Sequence, residues 1–235
     1  MPVGLCSHWL NCSDYTAVQI SLVLIGTVFW LIAYAWIAVR AYRTGFVEMP
    51  YVAAAANIAW EFVWAFVFVP NLGFLFVIGL RAWFFFDLAI FWFSWKYSAN
   101  QITAPRLKNK FHTVFLINIA AWAIFFVAFK PGVYDKLMGA TSAYISQVLM
   151  GVLYIYLYFD VKEKPAIRLS GAIATCKLLG TLPMGVFVFL RFADDHFLLT
   201  LAIASSLLDI LYFILIVTDR EKNQFGGSHV KSTTL

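Results

Sequence analysis

Residues 51–69 read YVAAAANIAWEFVWAFVFV, an apolar run interrupted near its middle by a single carboxylate, that of Glu61. Rising about 1.5 Å per residue, a helix of this length can cross a hydrocarbon core of ~30 Å. An ionised side chain at the centre of such a helix costs at least ~2.5–3.5 kcal/mol. We therefore expect Glu61 to have a partner or a chemical role.

The rest of the chain is similarly apolar. Of its 235 residues, 63% are hydrophobic, 19% aromatic and only 12% charged. A soluble domain is about half apolar and a quarter charged, so this composition predicts an integral membrane protein surrounded by lipid bilayer. The net charge of +5 is attributed to loops that orient the helices, and no nucleic acid partner is expected.

Seven apolar runs each have the ~17–25 residues that a membrane-spanning helix needs. The sequence predicts an all-α membrane protein, a seven-transmembrane helix bundle forming one domain over residues 1–218, followed by a cytosolic polar tail at 219–235. The helices are expected at about 19–39, 51–69, 76–95, 111–129, 140–159, 167–190 and 197–217.

Lysine and arginine residues in the predicted loops indicate the orientation. Twelve lie on one side of the seven runs and three on the other, namely Lys130, Lys136 and Arg191. Because cytosolic loops carry the excess of basic residues, the N-terminus is expected outside or in a lumen and the C-terminus in the cytosol. We expect a multi-pass protein of the endoplasmic reticulum in a eukaryote, or of the inner or plasma membrane in a bacterium. The sequence leaves the oligomeric state open.

Five ionisable residues lie inside the apolar runs: Glu61, Arg81, Asp87, Lys177 and Asp209. At ~1.5 Å per residue, all except Arg81 lie about 12–16 Å from the cytosolic ends of their helices, in one layer. One interpretation is a structural network in which the two bases neutralise two of the acids. Three acids against two bases leave one acid unpaired, however, and an unpaired carboxyl in a low dielectric keeps its proton. Such an acid facing a cavity can act as a proton donor.

The neighbours of these acids favour a cavity lined by aromatic and polar groups. Residues three or four positions apart share a helix face, and aromatic faces stabilise a desolvated cation by about 2 kcal/mol. The pattern suits a pocket in which a carbocation forms, although any single aromatic residue could instead face lipid. The candidate supporting or substrate-binding residues are Asn57, Trp60, Trp64, Arg81, Trp83, Asp87, Lys177, Ser205 and Tyr212.

No metal site or cofactor is predicted. The four histidines are scattered along the chain and form no cluster with one another. Asp194, Asp195 and His196 form the nearest approach to a metal-binding cluster, but they lie in a predicted turn and are interpreted as a solvated loop and helix cap.

Three stretches of the chain resemble a known family. They read NIAWEF at 57–62, RAWFFFD at 81–87 and LLDI at 207–210, within seven predicted helices. This pattern is similar to the small integral-membrane terpene cyclases of the Pyr4/PaxB type, found in fungal meroterpenoid and indole-diterpene pathways and with bacterial relatives. The resemblance covers about residues 18–217.

The resemblance implies an enzyme that cyclises a prenyl chain, or an epoxyprenyl chain, on an aromatic or other polar head group. Cyclisation would start by protonation, without a metal, and the substrate would be a hydrophobic prenylated small molecule. The family's acids correspond to Glu61 and Asp209; one would donate the proton while the other orients it or anchors the substrate. Lys177 could pair with Asp87. The chain also lacks the Asp-Asp-x-x-Asp cluster that binds magnesium.

Two other classes of seven-helix protein are weighed against this. A small-molecule transporter would also place polar residues at the midplane, but the chain shows no internal repeat. A retinal protein would need its lysine in the seventh run, whereas Lys177 lies in the sixth.

Overall fold

The computed structural model describes residues 8–162, 164 and 167–226, with side chains up to 219. Each of the seven apolar runs contains a helix, and a short helix, Pro105–Asn109, precedes the fourth. We label the seven main helices α1 (Ala17–Thr44), α2 (Tyr51–Phe62), α3 (Phe74–Tyr97), α4 (Phe111–Ala128), α5 (Ala140–Lys162), α6 (Gly171–Arg191) and α7 (His196–Gly226).

The predicted all-α membrane class is confirmed, since the described residues contain no strand element and the chain has several membrane-length helices. Six helices, all but α2, are long and apolar enough to cross a membrane, so this is a multi-pass membrane protein. The second run forms a shorter apolar helix, Tyr51–Val67, whose last part is a π-helical turn. The count of seven spans therefore stays a prediction.

The helix ends follow local capping chemistry. Thr16 and Gln19 form a capping box that starts α1, and Gly45 ends it in a left-handed conformation with φ of 67°. Ser170 caps α6, so that helix begins at Gly171, four residues after its predicted start. At the other end of the chain, α7 continues to Gly226, into the stretch assigned to the polar tail.

Two helices pack closely through glycine. A side chain on Gly180 of α6 would lie 2.4 Å from the indole of Trp30 on α1, and one on Gly26 would lie 2.8 Å from the Gly180 carbonyl oxygen. The absence of these side chains lets α1 and α6 approach and leaves room for Trp30. Helix α2 packs against α3, α4 and α5, and its four consecutive alanines, 53–56, are all buried. Glu61 therefore belongs to a helix that lies inside the bundle.

The connecting segments on the N-terminal side form a roof, which we define as residues 8–16, 68–73, 129–139 and 192–195. The backbone of Asn11 donates to the Leu72 carbonyl, and Asn71 donates to the Leu137 carbonyl. The carboxylate of Asp135 accepts hydrogen bonds from the Lys136 and Thr141 amides and so caps α5. Burial raises the pKa of Asp135, although these hydrogen bonds and those from Ser142 oppose the shift. The roof closes one end of the bundle.

At the opposite end, a buried acid joins three segments. Glu48, in the connection between α1 and α2, forms a salt bridge of 3.0 Å with Arg40 and accepts a hydrogen bond of 2.5 Å from the Ser170 amide. Arg40 also donates to the Arg168 carbonyl. These contacts fix the start of α6 against the end of α1.

Candidate active site

A cavity of about 160 Å³ lies beneath the roof, between α1, α2, α3, α5 and α6; we call it the central cavity. Its walls are mainly apolar and aromatic, with a few polar groups, as is typical of small-molecule sites. Along α1 the wall runs from Val23 to Tyr34, which is about 16 Å at 1.5 Å per residue. Its polar and aromatic residues include Trp30, Tyr34, Asn57, Trp60, Glu61, Trp83, Tyr144 and Gln147.

Glu61 lines the central cavity from the last turn of α2. Its side chain is 2% exposed, and it forms no salt bridge within the described residues. Oε2 is buried and has no hydrogen-bond partner in the described part of the chain. A buried oxygen without a partner is costly, so this atom marks a place where a ligand or a reaction supplies the contact.

The helix changes geometry directly after Glu61. Val63–Val67 form a π turn, which ends with a hydrogen bond of 2.8 Å from the Phe68 amide to the Val63 carbonyl. Turns of this kind occur often at functional sites. The Arg81 side chain donates from Nε to the Ala65 carbonyl at 3.3 Å and lies over the Phe66 ring, so it serves this turn and pairs with no acid among the described residues.

The π turn also places Trp64 away from the central cavity. Its indole packs on Gly139, where an added Cβ would lie 2.5 Å from the ring. Trp60, one turn earlier, does line the cavity, and its Nε1 donates to the Ser142 hydroxyl at 2.9 Å. Trp60 thus joins α2, the helix of Glu61, to the first turn of α5.

Asn57 lies one turn before Glu61 and connects it to α3. Its amide nitrogen donates to Asp87 Oδ2 at 2.5 Å. Asp87 is buried, but it does not line the central cavity, whereas Asn57 does. The carboxylate of Asp87 therefore orients the amide of Asn57 from behind the wall.

Asp209 is also buried. It forms a four-residue network with Lys177, Thr181 and Gln147, which we call the Asp209 network. Lys177 forms a salt bridge with Asp209 Oδ1, and both side chains are 1% exposed. Thr181 donates to Asp209 Oδ2 at 2.6 Å, and the Gln147 amide nitrogen lies 3.0 Å from the Thr181 hydroxyl and 3.4 Å from Oδ2. The predicted pairing of Lys177 with Asp87 is wrong, because Asp209 on α7 occupies the lysine.

Aromatic rings form the wall between the two acids. The rings of Trp30 and Tyr34 lie 5.7 Å apart, and those of Tyr34 and Trp83 lie 5.6 Å apart, both edge to face. Lys177 belongs to α6, and its ammonium group lies 5.3 Å from the centre of the Trp30 ring. Trp83 Nε1 and the Tyr144 hydroxyl are buried and have no hydrogen-bond partner within the described residues.

The sequence of this chain has counterparts among known proteins. A sequence profile of the Pyr4-like transmembrane terpene cyclases matches residues 7–218. The chain belongs to this family.

Two curated proteins are similar to part of the chain. The Pyr4-family terpene cyclase mfmH of Annulohypoxylon moriforme is 32% identical over 116 residues, which are 49% of this chain and 47% of that protein. Asnovolin H synthase nvfL of Aspergillus novofumigatus is 28% identical over 102 residues, 43% of this chain and 42% of that protein. The matches thus span somewhat less than half the length of either relative. No solved structure matches the chain.

The structure divides the candidate residues of this family member into two groups. Asn57, Trp60, Glu61 and Trp83 line the central cavity. The others lie behind its walls or in the core; Ser205 donates to its own helix and the Tyr212 ring packs on Tyr154. The candidate residues that do not line the cavity are Trp64, Arg81, Asp87, Lys177, Ser205, Asp209 and Tyr212.

The cavity residues that the sequence analysis did not single out include Trp30, Tyr34, Tyr144 and Gln147. Trp30 and Tyr34 are four residues apart on α1, so they share a face, but the first run carries no charge that would draw attention to it. Gln147 is the one amide side chain in α5, and that isolated polar residue is a signal that could have found it.

The described residues contain no group of three or more histidine, cysteine or acidic side chains placed to hold a metal ion. Asp195, at the turn before α7, accepts from the Leu198 amide at 2.9 Å and forms a salt bridge of 2.5 Å with Lys136. It therefore acts as a helix cap that ties two roof segments together.

Proposed function

We propose that this family member catalyses protonation-initiated cyclisation of a prenyl or epoxyprenyl chain carried on an aromatic or other polar head group, with Glu61 as the proton donor. The observation that carries the proposal is the buried, unpartnered oxygen of Glu61 on the wall of an aromatic cavity. The family match favours this function over the transporter alternative.

Glu61 suits the first step because no cation among the described residues forms a salt bridge with it. A carboxyl group enclosed by apolar walls without a cationic partner is more stable with its proton. Protonation of a terminal epoxide oxygen, or of a terminal alkene carbon, moves this proton to the substrate and leaves positive charge on carbon. The donor is a side chain of the protein, so this step requires no metal.

The aromatic wall supports the steps that follow. Each ring closes when the electron pair of an alkene attacks the cationic carbon, which forms one carbon–carbon bond and moves the charge along the chain. The faces of Trp30, Tyr34 and Trp83 stabilise this desolvated charge. The proton lost from the last cation balances the one that Glu61 donated. The substrate therefore gains and loses no atoms overall, and the reaction is an isomerisation.

We assign the Asp209 network a different part from that of Glu61. Asp209 is bound to Lys177 and does not line the cavity, so we do not assign it the role of proton donor. Its contribution is to position groups that do face the cavity.

We also propose that all seven helices span the membrane, with the roof on the lumenal or outer side. The Tyr51–Val67 helix has 17 residues, at the lower end of the usual range. The excess of lysine and arginine on the opposite loops supports this orientation. For a eukaryotic chain the expected location is the endoplasmic reticulum.

Substitution of Glu61 tests the proposed function. We expect Glu61→Gln to lower cyclisation at least about 100-fold, because general acid catalysis contributes 10²–10⁴-fold and the amide has no acidic proton. The assay uses membranes that contain the full chain, supplied with farnesyl-substituted phenols in the terminal alkene and terminal epoxide forms, and measures cyclised products by mass spectrometry. Retention of wild-type turnover by Glu61→Gln would overturn the assignment.

Two controls accompany this assay. Immunoblotting must show equal amounts of protein for each variant, so that loss of product reports chemistry. Val152→Leu, on a half-exposed position of α5 outside the cavity, should retain activity. If the wild type cyclises none of the phenols, the proposed substrate class is wrong.

A further inference from the structure

The orientation of the Gln147 amide is determined by the Asp209 network. Asp209, as the partner of Lys177, can only accept hydrogen bonds. The Thr181 hydroxyl must therefore use its hydrogen toward Asp209, at 2.6 Å, which leaves an oxygen lone pair to face Gln147. That lone pair requires the Gln147 nitrogen at 3.0 Å, and Asp209 Oδ2, 3.4 Å from the same nitrogen, lies on the same side of the amide.

The nitrogen end of the Gln147 amide is thus directed toward the Asp209 network. Thr181 and Asp209 do not line the cavity, whereas Gln147 does and is half-buried. The amide oxygen, Oε1, at the other end of the amide, accepts no hydrogen bond within the described residues and is left for a ligand in the cavity. Donation from the nitrogen to the network also polarises the amide and strengthens its oxygen as an acceptor.

The other unpartnered polar atoms of the cavity wall are able to donate. Trp83 Nε1 is a donor only, the Tyr144 hydroxyl can donate, and a protonated Glu61 donates. These groups match acceptor oxygens on a substrate, such as an epoxide or a carbonyl. A hydroxyl group on the substrate needs an acceptor, and Gln147 Oε1 provides one.

We propose that Gln147 is a substrate-binding residue whose amide oxygen accepts a hydrogen bond from a hydroxyl group on the head of the prenylated substrate. Asp209 is then a positioning residue, which acts by fixing the Gln147 amide in this orientation. The inference rests on the proposed function in one respect, namely that a prenylated molecule occupies the central cavity. It narrows the substrate class to compounds with a free hydroxyl on the head group.

A binding comparison tests this without turnover. The probes are a farnesyl-substituted phenol and its methyl ether, in which a methyl group replaces the hydrogen that Gln147 would accept. Binding to the full chain in detergent is measured by quenching of tryptophan fluorescence, since tryptophans line the cavity. We expect the wild type to bind the phenol about threefold to tenfold more tightly than the ether, the range of a single neutral hydrogen bond.

Gln147→Leu should bring the ratio of the two affinities to about one while the ether still binds. Asp209→Asn should lower the ratio although Gln147 itself is unchanged, which loss of stability alone would not do. If Asp209→Asn does not fold, the double variant Lys177→Met/Asp209→Leu replaces it, since it removes both charges together. Val152→Leu, outside the cavity, should keep the wild-type ratio.

The outcomes separate this inference from the proposed function. A wild type that binds phenol and ether equally, or a Gln147→Leu variant that retains the preference, overturns the role of Gln147. Either result can occur while Glu61→Gln still abolishes cyclisation. Conversely, a preference that depends on Gln147 can be measured even if no product forms, in which case the cyclase chemistry fails and the binding site stands.

Discussion

Two buried acids on the same bundle have opposite surroundings. Glu61 lies on the wall of the central cavity with one oxygen unpartnered in the described part of the chain. Asp209 lies behind the wall, and Lys177, Thr181 and Gln147 occupy its oxygens. Both are single acids inside apolar helices, so the sequence alone does not distinguish their roles.

Under the proposed mechanism, this difference gives the two acids different roles: Glu61 donates a proton, and Asp209 is a charged group that positions its neighbours. A cation beside Glu61 would stabilise its ionised form and remove the proton that catalysis needs. The same cation beside Asp209 maintains a fixed negative group, which can orient neutral amides. The Asn57–Asp87 contact of 2.5 Å resembles this second arrangement in one respect, since there too a buried aspartate outside the cavity accepts a hydrogen bond from the amide of a cavity residue. It differs in that no salt bridge holds Asp87 among the described residues.

The largest effect on stability is expected from breaking the Asp209 pair on one side only. Lys177→Met leaves a buried carboxylate without its cation, and loss of one partner of a buried pair costs about 3–5 kcal/mol. Thermal unfolding of the protein in detergent should therefore shift strongly to lower temperature. A loss below about 1 kcal/mol would show that Asp209 is not held as an ion.

The double variant Lys177→Met/Asp209→Leu provides the matched control for that measurement. Because it removes both charges together, it should recover most of the lost stability, as replacement of buried ion pairs by apolar residues is often neutral. The recovered stability would not restore the binding preference for the phenol, because Gln147 would have lost the acceptor that orients it.

Asp195, a partly exposed acid of the roof, provides a reference for the stability contributed by an ion pair that solvent reaches. Asp195 also pairs with a lysine, Lys136, but solvent reaches both side chains. We expect Lys136→Met to cost about 0–1 kcal/mol, since exposed pairs contribute little. Asp195→Ala should cost about 1 kcal/mol, because it also removes the cap on α7. Equal losses for Lys136→Met and Lys177→Met would contradict the distinction between the two pairs.

The contribution of Asp195 to the stability of the protein should decrease as the pH is lowered. The hydrogen bond from the Leu198 amide, together with Lys136, lowers the pKa of Asp195. A carboxyl whose pKa is lower in the folded state adds stability above its unfolded value of about 4 and loses it as the pH falls through the folded value. The stability difference between wild type and Asp195→Asn should therefore narrow below about pH 4, as measured by thermal unfolding.

Much of this fold follows from hydropathy alone. Each apolar run contains a helix, because a chain in lipid must satisfy its backbone hydrogen bonds within the segment. The π turn after Glu61 is not predictable in this way, since the residues VWAFV at 63–67 fit an α-helix equally well. Packing of Trp64 on Gly139 accompanies the turn, and that contact joins positions far apart in sequence.

The candidate site was predictable in its residue types but not in its pairings. Depth along a helix places Glu61, Asp87, Lys177 and Asp209 in one layer, yet it carries no information on which faces meet. Lys177 pairs with Asp209 because α6 packs against α7, and this choice depends on helix order in space. Trp30 and Gln147 remained hidden because they become neighbours of the site only when α1 and α5 close around it.

The smallest change in stability is expected for Glu61→Gln, and it distinguishes the two acids most sharply. Glutamine matches a protonated glutamate in shape, and the described residues offer no cation that the substitution would leave unpaired. Its free energy of unfolding should stay within about 1 kcal/mol of wild type, the range of a single hydrogen bond. Asp209→Asn, by contrast, leaves Lys177 buried without its anion and should lose several-fold more. Parallel melting curves of the two variants in one detergent measure this difference. If Glu61→Gln destabilises the protein as much as Asp209→Asn, Glu61 is ionised in the resting protein and cannot be the proton donor.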